Sequence, residues 1–232
     1  MNVQVYLIPT VLSEEAIDSI PAYVLQAIQT CSALYVENER TSRRFLRKLS
    51  KDIVIDYYKW VSIGKAEDPV LVEFQKDLRE GRVVGILSEA GCPGIADPGQ
   101  LLVRAAQEGG YTVRPLVGPS SILLGLMASG MNGQLFRFNG YLPIDSEERG
   151  KTIRRLETEA HLTGCTQIFI ETPYRNKVLL DAFLKHCRAD THLCIARDIT
   201  GPAESIRTKT ISEWKKEVPD LQKVPTLFLL GE

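Results

Sequence analysis

The strongest constraint on this chain is an alternation. Short β-branched, apolar runs at Val3 to Ile8, Ala33 to Val36, Ile53 to Tyr58, Val83 to Leu87 and Thr112 to Leu116 are separated by stretches with helical patterning. A parallel return needs a crossover of a dozen or more residues, so strands with a helix between each pair become parallel neighbours in βαβ units. The helix signals are specific. Pro21 opens an amphipathic stretch with Val24, Leu25 and Ile28 on one face. Thr41 or Ser42 can cap a basic helix through Leu49. Asp68-Pro69 starts a helix that Gly81 stops, and another runs from Pro98 through Gln107.

After Val117-Gly118-Pro119 the pattern begins again. Ser120 or Ser121 caps an apolar helix ending near Gly130, and Leu135 to Phe138 resumes strand. Asp145 to Arg155 alternates in charge and reads as a solvated helix. Gln167 to Ile170, His192 to Ala196, Glu204 to Thr208 and Thr226 to Leu230 are further strands, with helices from Asn176 and Ser212 between some of them. The expected organisation is two α/β domains, 1–117 and 118–232, a division that 232 residues can support with a core in each.

Composition narrows the function. The hydrophobic fraction is 44% and the charged fraction 25%, as in a soluble enzyme, and the net charge of −1 leaves any RNA contact to a local patch. No apolar run approaches the roughly 20 residues of a membrane helix. The first residues lack the basic start of a signal peptide, and Pro9 interrupts their apolar run. Five scattered cysteines argue for reduced thiols, so a cytoplasmic location without membrane association is expected. His186-Cys187 and His192-x-Cys194 match no zinc spacing, so no metal site is expected. There is no GxGxxG after the first strand, no P-loop lysine and no GxSxG, which removes the usual dinucleotide, NTPase and hydrolase readings.

The chemistry concentrates at strand ends. Ser88 to Gly99, SEAGCPGIADPG, follows the fourth strand and precedes a helix. Its glycines and prolines cannot extend a strand, and in an open α/β sheet the loop beyond a strand's C-terminal end is where ligands sit. A structural turn is the competing reading. Glu37 to Arg44, ENERTSRR, follows the second strand, where a carboxylate and an arginine could orient a proton transfer or simply cap a helix. Arg43, Arg44, Arg47, Lys48 and Lys51 form a basic stripe that could follow a phosphate backbone or serve as a solvated face. Gly118-Pro119-Ser120-Ser121 offers hydroxyls and free N–H groups at a helix start. Glu171 to Arg175 and Ala196 to Thr200 place polar loops at one end of a second sheet.

Taken in order, these segments resemble the tetrapyrrole methylase superfamily of S-adenosylmethionine-dependent methyltransferases. They are most similar to its bacterial branch that methylates a cytidine ribose 2′-hydroxyl in 16S ribosomal RNA. The branch's S-D-A-G-T-P-G-I-S-D-P-G loop is matched by Ser88 to Gly99, with Glu89, Cys92 and Ala96 substituted. Its acidic-Thr-Arg segment falls on Glu37 to Ser42 and its G-P-S on Gly118 to Ser120. Its E-S-P-H-R and A-R-E-L-T patterns fall on Glu171 to Arg175 and Ala196 to Thr200. The resemblance implies two α/β domains with the methyl donor in the cleft between them, and a homodimer. It implies donor contacts from Ser88, Glu89, Ala90, Gly94, Ile95, Ala96, Ser120, Ser121, Glu171, Ala196, Pro225 and Thr226.

Three departures bear on the substrate. The branch's P-T-P-I-G-N-L after the first strand is replaced by Pro9 to Glu14, PTVLSE. A histidine-rich segment is replaced by Tyr58 to Val61, and the C-terminal helical segment of many ribosomal RNA members has no counterpart within residues 1–232. The expectation is a methyltransferase acting on ribosomal RNA, or on the small ribosomal subunit, entered past Arg40, Arg43, Arg44 and Arg47. Glu37 is the first candidate proton acceptor and Arg40 the orienting cation, with Glu89 and Asp97 as alternatives. The rival readings are methyl transfer to a tetrapyrrole or other small molecule, and a donor-binding, RNA-associated protein without catalysis.

Overall fold

The computed structural model describes residues 3–64 and 67–232. The chain divides into two units, Met1–Ser120 and Ser121–Glu232, each with its own five-stranded sheet.

In the first unit the strands β1 (Gln4–Ile8), β2 (Ala33–Val36), β3 (Lys59–Ser62), β4 (Val84–Leu87) and β5 (Thr112–Pro115) lie in the order β3-β2-β4-β1-β5. Every pairing is parallel. The central strands β2 and β4 are buried along their whole length, which their uninterrupted apolar sequences require. The helices are α1 (Tyr23–Thr30), α2 (Glu39–Leu49), α3 (Glu67–Arg79) and α4 (Gln100–Glu108). Val24 and Ile28 of α1 pack with Phe45 and Leu46 of α2 on one face of the sheet. Phe74 and Leu78 of α3 pack with Leu102 and Ala106 of α4 on the other. Right-handed crossovers in opposite directions produce this division. The connections leaving β2 and β1 therefore depart on the face opposite to that leaving β4, which lies between them. The C-terminal ends of these three strands form the switch point at which open α/β sheets bind ligands.

The second unit holds β6 (Phe136–Gly140), β7 (Thr166–Ile170), β8 (His192–Arg197), β9 (Ser205–Thr210) and β10 (Thr226–Gly231), in the order β6-β7-β10-β8-β9. Only β6 and β7 run parallel; the other pairs are antiparallel. Helices α6 (Ser146–Thr163) and α7 (Asn176–His186) cover one face through Ile153, Leu156, Leu180 and Phe183, which meet Phe169 and Phe228 from the strands. Helix α5 (Ser121–Ser129) lies against β10 and β8, with Gly125 so near that a Cβ there would sit 2.5 Å from Leu227 Cδ2. The one-turn α8 (Ile211–Trp214) is closed by a capping box between Thr210 and Glu213.

Four expectations need correction. Ile53 to Tyr58 is not a strand: it carries a 3-10 turn at Ile55–Tyr57, and the strand follows at Lys59. Ile53, Ile55 and Tyr58 are buried in the cluster that includes Phe45 and Leu46 of α2, so the apolar spacing reflects an irregular segment packed on a helix. Helix α2 is capped by Asn38, whose side chain accepts from the Arg40 and Thr41 amides, so Thr41 and Ser42 fall inside the helix. The charged helix α6 is not wholly solvated, since it buries Arg149 and Glu157 along with its apolar stripe. The helix expected from Ser212 is a single turn.

Candidate functional site

In the first unit the loops after β1, β2 and β4 are stitched together at the switch point. Thr10 and Gly91 exchange both backbone hydrogen bonds, at 2.9 and 3.2 Å, tying the loop after β1 to the loop after β4. The Glu89 amide donates to Glu37 Oε2 at 3.0 Å, and the Thr41 hydroxyl donates to Glu89 Oε1 at 3.3 Å. The Ser88 hydroxyl is buried and turned back on its own loop, toward the Ala90 and Gly91 carbonyls. Gly118 passes so close to Pro9 that a Cβ would lie 2.1 Å from the proline's Cβ. Within loop 88–99, Gly91, Gly94, Ala96 and Gly99 all have positive φ. Open space lies beyond the Gly94 backbone, with nothing within 4 Å of a Cβ placed there, and Ile95 is exposed.

This folding gathers three carboxylates. Asp97 is pushed up to about 6, first by burial, then by the negative charge of Glu37, with Glu89 adding to the effect and a Ser88 hydrogen bond opposing it. A carboxyl held near neutrality beside two other acids makes this loop a candidate for proton handling. Glu37 has a second task, because its carboxylate anchors the start of the loop through the Glu89 amide.

The basic stripe on α2 is partly neutralised. Arg43 is ion-paired with Glu39 at 2.8 Å and lies over the Trp60 ring with 4.9 Å to its centroid. Arg44 and Lys48 both grip Glu14, at 2.8 and 2.9 Å, and these contacts hold the Glu14 carboxyl below its ordinary range. Glu14 comes from the divergent loop after β1, so that loop supplies the counter-charge to the stripe. Arg40 is exposed, and among the described residues neither Arg40 nor Arg47 is ion-paired.

In the second unit, antiparallel pairing of β10 with both β7 and β8 brings the C-terminal ends of β7 and β8 to the N-terminal end of β10. Thr226 is opposite Arg197, and Leu227 is opposite both Ala196 and Ile170. Glu171, 8% exposed, ion-pairs with Arg175 at 3.2 Å and accepts from the Thr172 amide. The Asp198 amide donates to the Pro225 carbonyl at 2.9 Å, and Thr226 is buried with its hydroxyl on Val224 O. Ala196 is fully buried, and its Cβ lies 3.6 Å from a Cβ placed on Gly125 of α5. Thus Glu171, Ala196, Pro225 and Thr226 belong to one strand-end cluster, with Ser121 at the start of the helix laid over it.

Four non-glycine residues among those described hold a left-handed conformation: Ala96, Asp198, Thr200 and Lys223. Ala96 lies in the switch-point loop, Asp198 and Thr200 in the loop after β8, and Lys223 in the turn before β10. Such conformations are costly for residues with a Cβ and collect where a backbone is shaped for a ligand. Two buried side-chain atoms at the second cluster, Asn176 Oδ1 and Thr200 Oγ1, have no partner.

Sequence reasoning missed Thr10 and Asn176 as members of these clusters. Thr10 was findable because it directly follows a strand. Nothing in its sequence setting marks Asn176, whose amide spans to the Val224 carbonyl 48 residues away. Among the described residues no group of three or more His, Cys, Asp or Glu could hold a metal, and no helix is long and apolar enough to cross a membrane. Cys194 is buried in the sheet and His192 is exposed at its margin.

Comparison with known proteins places these clusters in context. The family model for tetrapyrrole (corrin/porphyrin) methylases matches residues 16–215. Ribosomal RNA small subunit methyltransferase I of Halalkalibacterium halodurans is 35% identical over 144 residues, 61% of this chain and 48% of that protein. The protein of the same name from Escherichia coli O157:H7 is 27% identical over 223 residues, 95% of this chain and 74% of that one. The matches thus span from about half to three quarters of these relatives' length. Among solved structures, the methyltransferase CobJ superposes with a TM-score of 0.66 at 18% identity, covering 99% of this chain and 93% of its own. Uroporphyrin-III C-methyltransferase from Thermus thermophilus, complexed with S-adenosyl homocysteine, gives 0.59 at 16% identity, covering 99% and 97%. At these identities the superpositions establish the fold.

Proposed function

The chain belongs to the tetrapyrrole (corrin/porphyrin) methylase family, and on that basis we propose that it is an S-adenosylmethionine-dependent methyltransferase acting on a ribose 2′-hydroxyl of ribosomal RNA. The RNA substrate is supported by the relatives named ribosomal RNA small subunit methyltransferase I. The observation that carries the donor assignment is the placement of all four left-handed non-glycine residues in loops at strand ends where donor contacts are expected.

The residues fit such a donor. In the first unit the open space beyond Gly94 leaves room for a ligand, and in the second the orphaned Asn176 Oδ1 and Thr200 Oγ1 are polar groups that a ligand could engage. Contacts would come from Ser88, Glu89, Ala90, Gly94, Ile95, Ala96 and Ser120 in the first unit. In the second they would come from Ser121, Glu171, Ala196, Pro225 and Thr226. The chemistry supplied by the bound donor is a methyl group on a cationic sulfonium, open to in-line attack.

The remaining steps belong to the protein. An alcohol must lose its proton as it is methylated, and the carboxylates at the switch point accept it. Glu37 remains a candidate, but its anchoring role makes Asp97, with its raised pKa, the better-placed proton acceptor. Arg40, unpaired with any carboxylate among the described residues, favours the developing alkoxide. The protein would act as a soluble homodimer in the cytoplasm.

The deciding assay measures tritiated methyl transfer to ribosomal RNA and to assembled small subunits, followed by mass spectrometry of the nucleosides. Asp97→Asn is expected to lose on the order of 10²-fold in rate, and folded Gly94→Val to lose donor affinity by calorimetry. Label appearing in a tetrapyrrole but never in RNA would refute the substrate, and donor binding without turnover on any ribosomal particle would refute the enzyme.

A further inference from the structure

Away from both strand-end clusters, helices α6 and α7 enclose a hollow of about 450 Å³ lined by Arg149, Arg154, Lys185 and His186, together with Glu147 and Asp181. The two acids are already engaged, Glu147 with Lys151 at 2.6 Å and Asp181 with Lys177 at 3.4 Å. Among the described residues the cations are not matched by carboxylates. Arg149 is only 7% exposed; its Nη1 donates to the Pro143 and Ile144 carbonyls at 3.2 and 2.8 Å, and its buried Nε has no acceptor. Lys185 makes no ion pair among the described residues.

His186 reports the charge of the place. Its ring rests on Gly150, where a Cβ would lie 2.8 Å from Nε2 and push the imidazole aside. Arg154 Nη1 lies 2.8 Å from His186 Nδ1. A guanidinium can only donate, so Nδ1 accepts and the proton sits on Nε2 of a neutral ring. Burial pushes the His186 pKa down, and the positive charges of Arg154, Lys185 and Arg149 add to that effect.

We propose that this hollow between α6 and α7 is a binding site for a phosphate group, held by Arg149, Arg154 and Lys185. Cations arriving from two helices suit a tetrahedral dianion better than a planar carboxylate, which offers two oxygens in one plane. An anion there would supply the missing acceptor for the Arg149 Nε. The group can arrive as free phosphate or within an RNA backbone, and the two are separable by experiment. The site is independent of the methyl-transfer reading, because none of its residues belongs to the strand-end clusters.

The test follows the His186 imidazole signals by NMR across pH in the full-length protein, with inorganic phosphate and then with a short single-stranded RNA oligonucleotide. Bound phosphate is expected to raise the His186 pKa by about one pH unit, because it offsets the neighbouring positive charge. Lys185→Gln should weaken phosphate binding several-fold. Lys216→Gln, exposed and outside the lining of the hollow, should leave it unchanged. A rise with inorganic phosphate alone assigns the site to free phosphate; a rise with the oligonucleotide at lower concentration assigns it to the RNA backbone. No rise with either probe, or an equal rise in Lys185→Gln and the parent protein, overturns the proposal.

Discussion

Replacing Asp97 by asparagine should stabilise the protein at neutral pH while removing a candidate proton acceptor. The Asp97 carboxyl titrates at about 6 in the folded chain, against ~3.9 when unfolded. The folded state therefore keeps a proton that the unfolded state has released. That contribution to stability is complete below about pH 4 and is lost as pH rises through about 6. A difference of roughly two pH units corresponds to a ceiling of ~3 kcal/mol. Asp97 retains some contact with solvent, which reduces the expected gain to about 1–2 kcal/mol. Asparagine keeps the shape but introduces no charge beside Glu37 and Glu89. Urea unfolding of both proteins from pH 4.5 to 7.5 should show their stability difference growing in favour of the variant as pH rises. A difference constant across that range, or an Asp97 carboxyl titrating near 4 by NMR, would refute the carboxylate-cluster argument. Increased stability with lost methyl transfer is the combination expected at a strained functional site.

Three further outcomes are expected. Gly118→Ala places a Cβ 2.1 Å from Pro9 Cβ, where a ring limits relaxation, so thermal unfolding should show a loss of about 1–3 kcal/mol. Asp77 is fully buried and joins the Tyr35 hydroxyl at 2.7 Å to Lys59 at 2.6 Å and Arg82 at 3.3 Å. Asp77→Asn leaves those cations under-compensated and should cost on the order of 3 kcal/mol in denaturant unfolding. Glu14→Gln frees Arg44 and Lys48, so RNA affinity in filter binding should rise and its salt dependence steepen by roughly one to two counterions, with Tm unchanged.

Much of the first unit was legible because a βαβ chain states its architecture locally. The strands Val3 to Ile8, Ala33 to Val36, Val83 to Leu87 and Thr112 to Leu116 recur within a residue or two of the observed bounds, since each is a short apolar run between helix signals. Ile53 to Tyr58 misled because burial against a helix and burial in a sheet leave the same apolar spacing when the segment is irregular. The cap of α2 misled because Asn38, Thr41 and Ser42 are all good cap residues, and backbone conformation selects among them. The strand-end loops were also legible as candidate sites, since glycine, proline and carboxylates collected where strands run out. The direction of pairing in the second sheet was not. A strand's sequence records its buried faces, whereas its neighbour depends on how the connection returns.

The sequence by itself determined the alternating elements, the glycine-rich loop at the switch point and the family pattern carried by five short segments. Those are properties of consecutive residues, governed by local dihedral preference and hydrophobic period. Only the tertiary structure decided that Glu37, Glu89 and Asp97 share one field, that Glu14 answers Arg44 and Lys48 across 30 or more residues, and that Arg154 faces His186 from another helix. Each of these depends on distance in space. Electrostatic interaction falls with separation and strengthens with burial, and neither quantity is written along the chain.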